Sequence, residues 1–145
     1  ISNGGRKMQK FKRGIALAIC LTICLTKSVA ASSLEDFQDI KYIASCVEAE
    51  AGNQGELGKR YVVDCILNRF DTGKYETYSD VINEKGQFSC VSNKSINNEP
   101  SDETLDIVKS EIKNRTNNEI LYFRTNKYHN FGNPCFKWKD HYFSK

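Results

Sequence analysis

The chain has 145 residues, with 21 Lys and Arg against 18 Asp and Glu, a hydrophobic share of 39%, six cysteines and two histidines. Six of the basic residues and none of the acidic ones fall within 1–31, so the remainder has a net charge near −3 and gives no footing for a nucleic-acid partner. The 114 residues after position 31 suffice for one domain around a single core, and no repeat, low-complexity run or linker divides them.

Residues 1–31 read as a leader plus a secretory signal peptide. Lys10, Lys12 and Arg13 supply a basic start, Gly14 to Leu25 an apolar stretch, and Val29-Ala30-Ala31-Ser32 a small-residue cleavage site. The apolar stretch falls short of the roughly 20 residues that a membrane span needs, so no stable anchor is expected once cleavage occurs near Ala30 or Ala31. Residues 1–7 precede the only methionine, Met8, which is the expected start of translation. The domain proper is then 32–145, secreted and acting outside the cytoplasm.

Along that domain, Ser33 with Asp36 fits a capping box that opens a helix. Phe37, Ile40, Ala44, Val47 and Ala51 follow at helical spacing, and Gly52 is a natural stop. A second helix is expected over about 56–69, with Leu57, Tyr61, Val62, Cys65 and Ile66 for burial. A short helical turn is expected around 79–83. Pro100-Ser101 introduces another helix, with Leu105, Val108 and Ile112 at i, i+3 and i+7. The pattern then changes. Ile120-Leu121-Tyr122-Phe123 is short and aromatic, as suits a buried strand, His141-Tyr142-Phe143 is its candidate partner, and Gly132-Asn133-Pro134 marks a loop between them. Helices followed by a small C-terminal sheet predict an α+β domain that is mainly helical.

The first helix ends on two carboxylates, in Val47-Glu48-Ala49-Glu50-Ala51-Gly52. At 100° per residue they fall on opposite edges of the apolar arc, and the helical wheel does not choose between them. The negative end of the helix dipole and partial burial both disfavour a charged carboxyl there, which suits a general acid near neutral pH. A solvated helix-end glutamate is the plain alternative.

The residues around this pair carry a resemblance. Glu50-Ala51-Gly52-Asn53-Gln54, Gly58, Val63 and Ile66-Leu67-Asn68-Arg69 resemble the spore cortex-lytic cell-wall hydrolase family of the SleB type. Gly86-Gln87-Phe88-Ser89 is similar to its Gln-Phe-Ser element. Leu121-Tyr122-Phe123-Arg124-Thr125, Tyr128-His129-Asn130-Phe131-Gly132 and His141-Tyr142-Phe143-Ser144 resemble C-terminal motifs of the family. The resemblance runs from Ile43 to Ser144. It implies a lysozyme-like fold and makes Glu50 the catalytic acid. Two positions depart from the pattern: Gln54 stands where the family has a second glutamate, and Asn53 where it has a glycine.

A single glutamate is chemically sufficient. Substrate-assisted glycosidases dispense with the second carboxylate, and peptidoglycan sugars carry an N-acetyl group able to stabilise the cationic centre. The implied enzyme is a lytic transglycosylase that cuts between N-acetylmuramic acid and N-acetylglucosamine and leaves 1,6-anhydro ends. It requires no cofactor, and its partner is the peptidoglycan glycan strand. The chain contains no evident wall-binding module, so the domain finds the wall alone or through a wall-targeting partner protein. Eight of the 16 Phe, Tyr and Trp lie between Tyr122 and Phe143, where flat ring faces would serve either a sugar groove or the core. Candidate substrate contacts are Gln87, Phe88, Tyr122, Asn130, His141 and Tyr142. Asn68 and Arg69 are assigned to structure, as helix-end cap and surface charge.

Four cysteines follow the signal: Cys46, Cys65, Cys90 and Cys135. Export permits disulfides, while Cys46 and Cys65, within helical patterns, also suit buried free thiols. Cys90 and Cys135, both in loop-like segments, are the first candidates for a bridge. Two other functions fit parts of the sequence. One is an N-acetylmuramoyl-L-alanine amidase with zinc, for which Cys90, His129, Cys135 and His141 are the available ligands, although their spacing matches no familiar site and no metal is expected. The other is a secreted, disulfide-stapled binding protein without activity, which leaves the Glu50 and Gln87 motifs unexplained.

Overall fold

The first described element, α1, covers 36–51 and carries Ile40, Ile43, Ala44, Val47 and Ala51 at the spacings that line one helical face. The structure is a computed structural model that describes residues 36–145; the leader and signal expected over 1–31 lie outside the described residues. Residues Gln38–Lys145 form one compact unit. A Cβ on Gly52 would stand 2.6 Å from the Glu48 carbonyl oxygen, so the tight turn that ends α1 requires glycine.

Helix α2 (Gly55–Asp71) is buried on nearly every side over its second half. Val62, Val63, Ile66 and Leu67 pack with Ile43, Val47, Val81, Ile82 and Val108 in the larger core. On its other side Cys65 meets Ile120 and Phe143 in a smaller core under the sheet, flanked by Tyr61, Phe136 and Trp138. A helix between two cores must satisfy its polar groups internally. Asn68 donates to the carbonyls of Asn117 and Ile120 (3.0 and 2.9 Å). Asn68 and Arg69, expected as cap and surface charge, are both buried, because the loop after α5 and the sheet close over them.

Thr77 and Asp80 form a reciprocal capping box at the start of α3 (Tyr78–Asn83). The turn after it leads to α4 (Ser89–Ser92), and a 3₁₀ turn follows at Ser95–Asn97. Helix α5 (Asp102–Lys113) starts where Ser101 accepts the Thr104 N–H (3.3 Å). Its buried stripe is Thr104, Ile107, Val108 and Glu111, not the Leu105, Val108, Ile112 line expected from apolar spacing, and Ile112 is exposed. The stripe is partly polar because α2 supplies partners: Lys59 donates to Thr104 (2.9 Å), and Arg60 pairs with Glu111.

The sheet is antiparallel, in the order β1 (Tyr122–Thr125), β3 (His141–Ser144), β2 (Pro134–Trp138). Phe143 sits opposite both Phe123 and Phe136, which places three aromatics across the sheet. Strand β2 stands where the sequence predicts loop. Pro134 and the irregular register up to Phe136 disguise its start, and pairing with β3 overrides that local signal. The architecture is the mainly helical α+β class expected, with a small C-terminal sheet.

Candidate active site

The two carboxylates at the end of α1 have separate fates. Glu48 accepts hydrogen bonds from the Ser101 N–H (3.3 Å), the Ser101 hydroxyl (2.6 Å) and the Thr104 hydroxyl, and pairs with Lys59 (3.5 Å). Burial alone would raise its pKa, but these hydroxyls, the backbone donor and the lysine outweigh burial and bring it down to about 2. It ties α1 to the start of α5 and is a structural anion.

Glu50 is half-buried and lines a cavity of about 890 Å³. Its Oε1 accepts the Cys90 N–H (2.8 Å) and the Ser89 hydroxyl (3.0 Å), both from α4. Among the described residues no hydrogen bond reaches Oε2 and no cation pairs with the carboxylate. The cavity runs along the turn Asn83–Ser89 and is closed opposite by Phe123, Arg124, Thr125, His129 and Phe131. Gly86 in that turn has φ of +78°, which a side chain would strain.

Gln87 and Phe88 are both in this wall. Gln87 is half-buried and also borders a smaller cavity of about 170 Å³. Phe88 is 4% exposed and packs against Phe123, so its main work is to carry the wall. Tyr122 lines the smaller cavity, which shares Glu84, Gln87 and Phe131 with the larger one. Asn130, His141 and Tyr142 line neither cavity. Asn130 is exposed in the turn after β1. Alternation along β3 sends Tyr142 to Tyr128 and Lys137, whereas His141 is buried against Phe123 (4.8 Å). Burial lowers the His141 pKa, opposed by the charges of Glu50 and Asp140, and its Nδ1 has no hydrogen-bond partner.

Three further residues shape the groove beside the candidate substrate contacts. Phe131 is half exposed at the junction of the two cavities, with His129 stacked on it (4.6 Å) and Tyr122 edge-on (5.2 Å). The His129 ring is held by a bond to the Phe123 carbonyl (3.1 Å). Arg69 lies below, its guanidinium 5.7 Å from the ring centres of both Phe88 and Tyr122, and it binds Glu84 and the Tyr75 hydroxyl. Aromatic content flagged the region but not the ring that would face the ligand, since exposure depends on how the turn folds.

Glu84 is the other carboxylate in the groove. Lys74 (2.5 Å) takes one oxygen, and Tyr75 (2.6 Å) and Arg69 the other. Lys74 and Tyr75, with Arg69, hold its pKa below the usual range against the opposing effect of burial. Asp140 is occupied elsewhere. Its carboxylate accepts from the Gln54 amide (3.1 Å), and its backbone N–H donates back to Gln54 Oε1 (3.2 Å). Gln54 also receives the Trp138 indole N–H on its carbonyl (3.2 Å), so the departure from a glutamate here joins the α1–α2 turn to the β2–β3 hairpin.

The expected Cys90–Cys135 bridge is corrected by the fold. Cys90 is buried with its sulfur 3.5 Å from that of Cys46, while Cys135 is exposed on β2 beside the Asn133 carbonyl. For the same reason Cys90, His129, Cys135 and His141 do not converge. Among the described residues no group of three or more His, Cys, Asp or Glu is placed to hold a metal ion.

Residues 53–144 match the family model described as Cell Wall Hydrolase, a match that begins three positions after Glu50. The chain is similar to the crystal structure of the catalytic domain of the Bacillus cereus SleB protein, with 27% identity, a TM-score of 0.65, and coverage of 74% of this chain and 89% of that one. It is equally similar to the catalytic domain of the germination-specific lytic transglycosylase SleB from Bacillus anthracis, with 27% identity, a TM-score of 0.64, and coverage of 74% and 93%. No curated protein sequence matches it. The chain belongs to the cell wall hydrolase family and is a peptidoglycan-degrading enzyme with the fold of the SleB catalytic domain.

Proposed function

We propose that the chain is an exported lytic transglycosylase that cuts glycan strands between N-acetylmuramic acid and N-acetylglucosamine, with Glu50 as its one acid and base. The observation that carries this reading is the difference between the groove's two carboxylates: Glu84 is neutralised by Lys74 and Arg69, and Glu50 pairs with no cation among the described residues. Protonated Glu50 gives its proton to the glycosidic oxygen as the bond to the muramic C1 breaks. The N-acetyl group of the same sugar stabilises the positive charge at C1. The Glu50 carboxylate then takes the proton of the C6 hydroxyl, whose oxygen closes on C1. The Cys90 N–H and the Ser89 hydroxyl steady that carboxylate in the second step. A 1,6-anhydro end results, with no water consumed and no cofactor required.

Gln87, Tyr122, His129 and Phe131 are the proposed sugar contacts, the exposed face of Phe131 offering a stacking surface. The site of action is the wall outside the cytoplasmic membrane, reached after removal of residues 1–31, alone or with a wall-targeting partner.

Glu84 gives one specific alternative, because it borders the same cavity and would supply the second carboxylate of a hydrolase. Digestion of purified peptidoglycan in ¹⁸O water, followed by mass spectrometry of the fragments, separates the two. Unlabelled anhydro ends are expected. Label incorporated at the new ends during cleavage would establish hydrolysis and turn attention to Glu84.

A further inference from the structure

Cys46 lies one helical turn before Glu50 on α1, and Cys90 lies in α4, the segment whose backbone N–H holds Glu50 Oε1. Their sulfurs are 3.5 Å apart, and both side chains are buried, at 0% and 1% exposure. The contact joins two elements 44 positions apart in sequence, and those elements are the helix bearing the acid and the clamp that orients it. A disulfide needs the sulfurs to approach to about 2.0 Å, so bonding requires the two side chains to turn further towards each other. The other two thiols of the domain differ. Cys65 belongs to the core under the sheet, and Cys135 is exposed on β2.

We infer that Cys46 and Cys90 are a disulfide-forming pair, and that the bond pins the α4 clamp to the Glu50 helix. The inference rests on the reading of the chain as exported, because an oxidising compartment supplies the electron acceptor. That acceptor is a disulfide R–S–S–R, either a small molecule or a thiol–disulfide oxidoreductase. One cysteine thiolate attacks it, forming a mixed disulfide and releasing one R–S⁻. The second thiolate attacks the cysteine sulfur of that intermediate and releases the other R–S⁻. Two electrons pass to the oxidant, and the two thiol protons go to the released thiolates. Burial, and then the neighbouring Cys90, push the Cys46 thiol well above its ordinary pKa, so exchange is slow once the core has closed. The bond therefore forms while α4 is still open, during folding.

The test is refolding of the reduced full chain in a buffer of reduced and oxidised glutathione. The product is denatured, blocked with N-ethylmaleimide and mapped by mass spectrometry without reduction. The expected result is a Cys46–Cys90 peptide pair, with maleimide on Cys65 and Cys135, and with Cys20 and Cys24, which precede the expected cleavage site, bonded to none of these four. The oxidised protein should melt on the order of 10 °C above the reduced protein, given the length of the loop closed. Cys46→Ala and Cys90→Ala should each abolish that difference, and both retain the backbone N–H that Glu50 accepts. Maleimide on both Cys46 and Cys90, or either of them paired with another cysteine, overturns the inference. Mapping reads the bond without a wall substrate and in a buffer of set redox poise, so its failure is distinct from failure of the proposed activity or of export.

Discussion

Glu48→Gln should weaken the fold and leave the chemistry intact. The folded protein holds the Glu48 carboxyl at about 2, from an ordinary value of 4.5. At about 1.4 kcal/mol per unit the full difference would approach 3.5 kcal/mol, but about a third of the side chain faces solvent, which screens the interaction. An expected cost of about 1–2 kcal/mol at pH 7 follows, or roughly 5–10 °C in melting temperature for a domain of this size. The amide would also leave buried Lys59 with Glu103 as its remaining acid. A carboxyl with a depressed folded pKa contributes stability above its unfolded pKa and loses it as pH falls towards the folded value. The gap between wild type and variant should therefore be full above pH 4.5 and close by about pH 2. Urea unfolding of both proteins across that range, beside a peptidoglycan turbidity assay, reads stability and activity separately. An unchanged urea midpoint, or a gap that persists at pH 2, would refute the role assigned to Glu48.

Two other polar sites should respond in different ways. Asp64 is buried against Glu111, and burial with that neighbouring carboxylate raises it to about 8; a group raised on folding loses stability as pH rises from the unfolded to the folded value. Asp64→Asn can still accept the Asn117 N–H and can donate to Glu111, so its urea midpoint should exceed that of wild type by an increasing margin from about pH 4 to pH 8. Gln54→Glu should cost about 1–3 kcal/mol at pH 7, because it sets a second carboxylate against Asp140 in a buried turn, and should recover at low pH; thermal melts at pH 7 and pH 4 check this.

Helical spacing made the body of α1 and the core of α2 legible, and the Ser101 cap did the same for the start of α5; the expected Ser33 cap lies outside the described residues. Strand β2 was hidden because Gly132 and Pro134 have the local character of a loop, and only pairing with β3 draws Pro134–Trp138 into a strand. The choice between Glu48 and Glu50 was also closed to the sequence. It depends on Ser101 and Thr104, more than 50 positions away, which engage one carboxylate and leave the other to the groove. Gln87 and Phe88 stand in a local motif beside the acid, and both line the cavity that Glu50 borders. His141 and Tyr142 line neither cavity, since strand alternation fixes which faces differ but not where the groove lies. Arg69 was hidden for a related reason: a helix-end arginine ordinarily reaches water, and only tertiary packing buries this one under two aromatic rings.

The assignment of Glu50 is tested most directly by Glu50→Gln, assayed as the rate of muropeptide release from purified peptidoglycan. The amide keeps the shape of the side chain and can still accept from Ser89 and Cys90, but it has no proton to give. A loss of about 10²–10⁴ in rate is expected, with a melting temperature within a few degrees of wild type. Glu48→Gln in the same assay should retain most of its activity. Wild-type rates from a folded Glu50→Gln protein would contradict the account, and they would do so most plainly if Glu48→Gln were the inactive one.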